Sequence, residues 1–138
     1  MNADKVFIDT NVFVYLYSGN DEDRNKRRLA YEAINQYDCQ ISTQVLNEFS
    51  NICIKKLEIS NRRLQNIITQ ICSYCDIAYI DEDTVDKAIE INAKYGYSYY
   101  DSLIIVSALE RNCKYILTED MADGQVIEGN LTIKNIFK

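Results

Sequence analysis

Histidine is absent from all 138 residues, and that absence excludes more than any residue present. Without imidazole there is no Ser-His-Asp or Cys-His nucleophile system, no ribonuclease working through paired imidazoles and no imidazole-ligated metal. Carboxylates, tyrosines, lysines or a hard metal ion must carry any chemistry. Proline is also absent and glycine occurs only four times. With no low-complexity stretch and no internal repeat, the chain reads as one domain over residues 1–138. No apolar run approaches the roughly 20 residues that span a bilayer. The opening residues Met1 to Thr10 carry an acid and only a short apolar run, unlike a secretory signal. The expectation is a cytoplasmic protein with no membrane partner.

What is there fits a soluble globular chain, 47% apolar and 26% charged. Five cysteines stand at 39, 53, 72, 75 and 113, an odd number at irregular spacing, and so a poor disulfide framework. Cys72 and Cys75 form a Cys-x-x-Cys pair, but it closes an apolar helical segment, whereas a thioredoxin-like motif opens a helix. A zinc site needs two further ligands that are missing. The cysteines therefore read as small core hydrophobes.

The net charge of −6 argues against a generic nucleic-acid coat. Basic residues are nonetheless grouped, with Arg24, Lys26, Arg27 and Arg28 together and Lys55, Lys56, Arg62 and Arg63 further on. Each group reads equally well as a solvated helix face.

Short β-like runs alternate with longer helical ones, the signature of an α/β fold. Strands are expected at 5–8, 39–42, 77–80, 114–117 and 131–134, and helices at 10–17, 21–37, 43–57, 60–74, 82–96 and 99–111. The middle of the last helix, Leu103 to Val106, is apolar all round and so central. Four or five short strands joined by helical crossovers imply a mostly parallel sheet.

Ligands of such sheets gather at the carboxyl ends of the strands. Asp9 directly follows the first strand, where it also suits a helix N-cap. Asp120 lies just past the strand ending at Leu117, in a Thr118-Glu119-Asp120 turn. Glu48 falls at the margin of a buried stripe formed by Val45, Leu46, Phe49, Ile52 and Cys53. Asp101 completes a capping box that begins at Ser98. Carboxylates brought together without a cation repel one another and destabilise the fold. An oxygen-only donor set points to Mg²⁺ or Mn²⁺ rather than zinc.

The order of these acids resembles the PIN-domain nucleases. The matching pieces are Phe-Ile-Asp-Thr-Asn-Val at 7–12, Val-Leu-Asn-Glu-Phe at 45–49, Tyr-Tyr-Asp-Ser-Leu-Ile-Ile at 99–105 and Ile-Leu-Thr-Glu-Asp-Met at 116–121. They span essentially the whole chain, and its size is that of the VapC-like toxins of toxin–antitoxin pairs. The resemblance implies a three-layer α/β/α PIN-like domain with a mostly parallel sheet of four or five strands. It implies a Mg²⁺- or Mn²⁺-dependent endoribonuclease cutting single-stranded RNA, often a homodimer, with a cognate antitoxin that blocks the site. The family's acids carry over to Asp9, Glu48, Asp101 and Asp120, with Thr10, Asn11 and Thr118 as accessory polar positions. Glu119 and Asp123 flank Asp120 and compete for its role. Asp9, Glu48 and Asp101 would hold one ion, Asp9 or Asp120 a second, and Thr118 would orient the attacking water. Arg24, Lys26, Arg27 and Arg28 are the expected RNA-attracting cluster. Tyr95, Tyr97, Tyr99 and Tyr100 read as base-stacking platforms or as packing.

Two alternatives remain. One is a Mg²⁺-dependent phosphoryl-transfer domain. A haloacid-dehalogenase-like phosphatase needs a second Asp where Asn11 stands, and a receiver needs an acid ending the strand at 39–42. The other is a catalytically silent PIN-like binding module.

Overall fold

The computed structural model describes residues 3–138. Thirteen elements alternate along it, and a three-residue 3-10 turn is one of them. The strands are β1 (Lys5–Ile8), β2 (Asp38–Ser42), β3 (Cys75–Ala78), β4 (Tyr115–Leu117), β5 (Val126–Ile127) and β6 (Leu131–Lys134). The α-helices are α1 (Thr10–Leu16), α2 (Arg24–Gln36), α3 (Thr43–Lys55), α4 (Asn61–Tyr74), α5 (Glu82–Tyr95) and α6 (Tyr99–Glu110). The six strands form one sheet in the order β3-β2-β1-β4-β6-β5. Every pairing is parallel except β5 with β6.

After Lys5 the central strand β1 is apolar because both of its faces are covered, and Val6, Phe7 and Ile8 are fully buried. Helix α6 packs on β1, β2 and β4 and carries α5 on its other side. Its residues Ser102 to Ala108 are all buried, which matches the all-round apolarity expected of a central helix. Helix α1 packs against α2 and α3, and α4 against α3 and β3. Phe13 and Tyr17 of the α1 segment meet Phe49 of α3, with ring centroids 6.2 and 5.9 Å apart. The sheet is thus flanked by helices, as expected of an α/β fold.

The strand count and several element limits differ from the sequence expectation. The sheet has six strands rather than four or five, because the two-residue β5 hides in a glycine-flanked turn and pairs antiparallel with β6. Strand β3 starts at Cys75, not Ile77, because its parallel register with β2 begins at the pair Cys39↔Cys75. Cys72-x-x-Cys75 therefore straddles a helix–strand junction, with Cys72 exposed and Cys75 buried. The charged helix begins as a 3-10 turn at Asp21–Asp23 and becomes α-helical at Arg24, with the Asn20 side chain capping the turn.

The fold's contribution to function lies at the carboxyl edge of the sheet. The Asp9 amide donates to Leu117 O at 3.0 Å. This bond carries the β1–β4 ladder one step past the end of β1 and sets Asp9 beside Thr118. Ser42 ends β2, and α3 begins at the next residue.

Candidate active site

Asp9 is the N-cap of α1, extended at φ −75°, ψ 158°. Its Oδ1 accepts from the Thr10 amide at 2.7 Å and its Oδ2 from the Thr118 hydroxyl at 2.8 Å. The residue is only 8% exposed. Burial pushes its carboxyl up from 3.8 to about 6. The Thr118 and Thr10 hydrogen bonds oppose that rise, and repulsion from Glu48 and Asp101 adds to it. Capping and a buried charge thus fall on one residue, which is why the local Asp-Thr-Asn motif was informative.

Glu48 projects from α3 toward the same edge. Its Oε1 accepts from the Thr10 hydroxyl at 3.1 Å and lies 3.5 Å from Gln44 Nε2. Gln44 also donates to Tyr100 O at 3.1 Å, fastening α3 to the start of α6. Asp101 sits in the first turn of α6, where its amide donates to the Ser98 hydroxyl at 3.1 Å. Glu48 and Asp101 are both raised, each chiefly by burial. Asp101 adds repulsion to Glu48, and Asp120 adds it to Asp101.

Asp120 is fixed by a side chain from α1. Asn11 Nδ2 donates to Asp120 Oδ2 at 2.9 Å and reaches Thr118 Oγ at 3.4 Å. The Asp120 amide donates to Thr118 Oγ at 3.2 Å. The fully buried Thr118 hydroxyl therefore gives its proton to Asp9 and accepts from two donors. Asp9, Glu48, Asp101 and Asp120, from four separate stretches of chain, line one open cleft of about 390 Å³.

The rivals of Asp120 are tied elsewhere. Glu119 accepts from Lys26 Nζ at 2.5 Å and from the Tyr15 hydroxyl at 2.6 Å, and Lys26 also reaches the Tyr15 hydroxyl at 3.1 Å. Burial pushes Glu119 up, but the Lys26 and Tyr15 hydrogen bonds outweigh it and hold the carboxyl below its usual range. Asp123 accepts from the Asn135 amide at 2.8 Å and stands 3.7 Å from Lys138. Of the three acids only Asp120 lines the cleft. Nothing in the sequence marks Tyr15 and Lys26 as the fasteners of this turn, because they meet Glu119 only in three dimensions. Gln44 was also missed, although its position one helical turn before Glu48 was a usable signal.

The residues expected to draw in RNA are engaged internally. Besides the Lys26–Glu119 pair, Arg27 donates to Ser18 O at 2.6 Å, Arg28 pairs with Glu32 at 2.9 Å and Arg24 lies 3.9 Å from Asp21. None of these four lines the cleft. Tyr95 and Tyr97 direct their hydroxyls to Glu128 and Gln125. Tyr99 packs edge-on against Tyr100, which is 65% exposed.

The donor set suits a hard divalent cation. Its ligating atoms are all oxygens, and Asn11 Oδ1 and Gln44 Oε1 are buried with no hydrogen-bond partner among the described residues. Acceptors therefore outnumber donors around the acids. Among the described residues no three acidic or thiol groups stand close enough together to hold one metal ion directly, so a cation here would be held in part through water. An open ring of carboxylates that leaves room for retained water is the environment Mg²⁺ favours.

The sequence model of the PIN domain family matches residues 6–122. Ribonuclease VapC1 of Aquifex aeolicus (strain VF5) is 28% identical over 127 residues, covering 87% of this chain and 84% of that protein. The toxin-antitoxin complex from Klebsiella pneumoniae contains a chain of the same fold, with TM-score 0.71 and 19% identity over 95% of this chain and 97% of the other. Mycobacterium tuberculosis VapC20, a sarcin-ricin loop cleaving toxin, aligns with TM-score 0.63 and 15% identity over 80% of this chain and 86% of its own. The matched segment runs from within β1 to beyond Asp120 and takes in all four cleft acids, and the chain belongs to the PIN domain family.

Proposed function

We propose that this protein is an endoribonuclease, the toxin of a toxin–antitoxin pair, and that it cuts single-stranded RNA with Mg²⁺ or Mn²⁺. The observation that supports this most is the convergence of Asp9, Glu48, Asp101 and Asp120 on one cleft, three of them with raised carboxyls. A cluster kept at that electrostatic cost serves cation-dependent chemistry better than it serves stability. The printed names of the Aquifex relative, a ribonuclease, and of the Klebsiella neighbour, a toxin-antitoxin complex, favour the same reading. A cognate antitoxin and a homodimer are part of the proposal, as is a cytoplasmic location. No helix among the described residues is long and apolar enough to cross a membrane.

Asp9, Glu48 and Asp101 would hold one cation, in part through retained water, and Asp9 or Asp120 a second. When bound, such an ion lowers the pKa of water and offsets the charge of the phosphodiester. Asp9 is the anchor, because both of its oxygens are already oriented by Thr10 and Thr118. Thr118 is a positioning residue, its hydroxyl occupied by Asp9, Asn11 and the Asp120 amide. Thr10 likewise couples Asp9 to Glu48, and Asn11 orients Asp120. Asp120 is the exposed member, and its Oδ1, not engaged by the Asn11 bond to Oδ2, is the oxygen it would offer to the second cation. A receiver-like mechanism is disfavoured, because β2 ends at Ser42 with no acid.

The test is incubation of the purified protein with a mixed RNA pool. Cleavage is expected with Mg²⁺ or Mn²⁺, loss of cleavage in EDTA, and recovery when the metal is restored. Cleavage that persists undiminished in EDTA contradicts the metal-dependent mechanism. No cleavage under any metal condition contradicts the enzyme reading and favours a binding module.

A further inference from the structure

The carboxylate cleft does not end at the acids. Leu57 lines both that cleft and a second one of about 440 Å³, bounded by Leu16, Gly19, Asn20 and Ile59. Tyr17 and Arg63 line the second cleft and also a third of about 480 Å³, formed by the first turns of α4. The depressions therefore adjoin one another in series, from the acids past the C-terminal ends of α1 and α3 to α4.

The charge along this path changes sign. Lys56 lines the first cleft, Arg63 the second and third, and Arg62 the third. No acidic residue lines the second or third cleft. Among the described residues, no carboxylate lies within 4.0 Å of Lys55, Lys56, Arg62 or Arg63. The α2 cations are by contrast held by Asp21, Glu119, Glu32 and the backbone. In a chain of net charge −6, acids are abundant enough to pair every cation. Arg27, Arg111 and Lys134 also lack a carboxylate partner, but each donates to another polar group of the chain, Ser18 O, Gln40 and Tyr37 respectively. Lys56, Arg62 and Arg63 line the groove with no side-chain hydrogen bond or ion pair among the described residues. The α4 N-terminus, capped by Ser60, adds its partial positive charge at the same place. Amide and phenol groups of Asn20, Asn66, Gln70 and Tyr17 line the path between the cations. Cations, hydrogen-bonding groups and the apolar faces of Leu16, Leu57 and Ile59 together offer a flexible polyanion both phosphate contacts and surfaces for its bases.

We propose that this groove is the track for the RNA strand leading away from the cut. Lys56 contacts a phosphate beside the scissile one, and Arg63 and Arg62 contact phosphates further along. The track rests on the proposed ribonuclease function, and it moves the RNA-binding cations from α2 to the α3–α4 connection and α4. Arg62 and Arg63 are positioning residues for substrate, both exposed, so their replacement spares the fold.

The test compares wild type with Arg62→Ala/Arg63→Ala and with Lys56→Ala. A charge-matched control, Lys87→Ala/Lys94→Ala, removes cations remote from the groove. The probes are a labelled single-stranded RNA of about a dozen nucleotides, read by anisotropy in EDTA, and steady-state cleavage of the same RNA in Mg²⁺. The double arginine variant is expected to bind about tenfold or more weakly and to raise KM with kcat little changed. The slope of log affinity against log salt should fall by about 1.4, the value for two lost phosphate contacts on a single strand. The control is expected to change affinity less than twofold. If wild type cleaves the RNA but the double variant keeps wild-type affinity, KM and salt slope, the track is wrong and the nuclease stands. An equal or larger loss from Arg24→Ala/Arg28→Ala also overturns the track. So does intact RNA binding with lost capture of the co-expressed antitoxin, which makes the groove a protein-docking site. Wild type that neither binds nor cuts RNA overturns the function and the track together.

Discussion

Asp9 carries the sharpest consequence at the residue scale. Its folded-state carboxyl is pushed up to about 6, from an ordinary 3.8, mainly by burial. A group raised in this way favours folding while it is protonated. That advantage is complete below the unfolded value and is lost as pH rises through the folded one, an effect of about 3 kcal/mol for Asp9. Metal-free wild type should therefore lose stability between pH 4 and pH 7 relative to Asp9→Asn, and added Mg²⁺ should restore it most above pH 6. Thermal melts of both proteins in EDTA and in Mg²⁺ check this; a wild-type-minus-variant difference that is flat with pH contradicts it. Thr118→Val removes the hydroxyl that steadies Asp9. The Mg²⁺ concentration for half-maximal cleavage should rise about 10- to 100-fold, while an unchanged metal titration would deny Thr118 its positioning role. Asp9 and Asp101 were legible in the sequence because each stands in a local capping motif. The choice of Asp120 over Glu119 and Asp123 was not, because partners distant in sequence decide it.

At the scale of elements, the turn after β4 is the part that must be held. Lys26 from α2 and Tyr15 from α1 clamp Glu119, so Asp120 in the same turn is carried to the cleft. Lys26→Ala and Tyr15→Phe should each lower kcat by about tenfold or more through misplacement of Asp120, with binding of short RNA little changed. Full kcat in both variants would show that Asn11 alone suffices to hold the acid. The helices were read well because amphipathic spacing and caps such as Ser60, Asp81 and Ser98 are local signals. Strand limits were read less well. The β3 register is decided by pairing with β2, and the two residues of β5 acquire strand geometry only against β6.

On the scale of the whole molecule, the parallel sheet brings acids from four chain segments to one edge, and the loops and helices beyond it decide what surrounds them. The fold class, the mostly parallel sheet and the list of cleft acids were recoverable from the sequence, since strand-end acids and the absence of histidine are composition and order. Which cations remain free was not recoverable, because pairing depends on which acids the fold brings near. Arg24, Lys26, Arg27 and Arg28 look like a nucleic-acid patch in sequence, and in the fold Lys26 pairs with Glu119 and Arg27 with Ser18 O, while Arg24 and Arg28 lie beside exposed acids at the surface. The central claim is that the Asp9-led cluster performs RNA cleavage. It is tested most directly by mapping cut sites on total RNA with wild type and Asp9→Asn under matched Mg²⁺. Discrete cuts by wild type, reduced at least a hundredfold in Asp9→Asn while that variant melts normally, are the predicted result. Cuts at the same sites and rate in Asp9→Asn would contradict it.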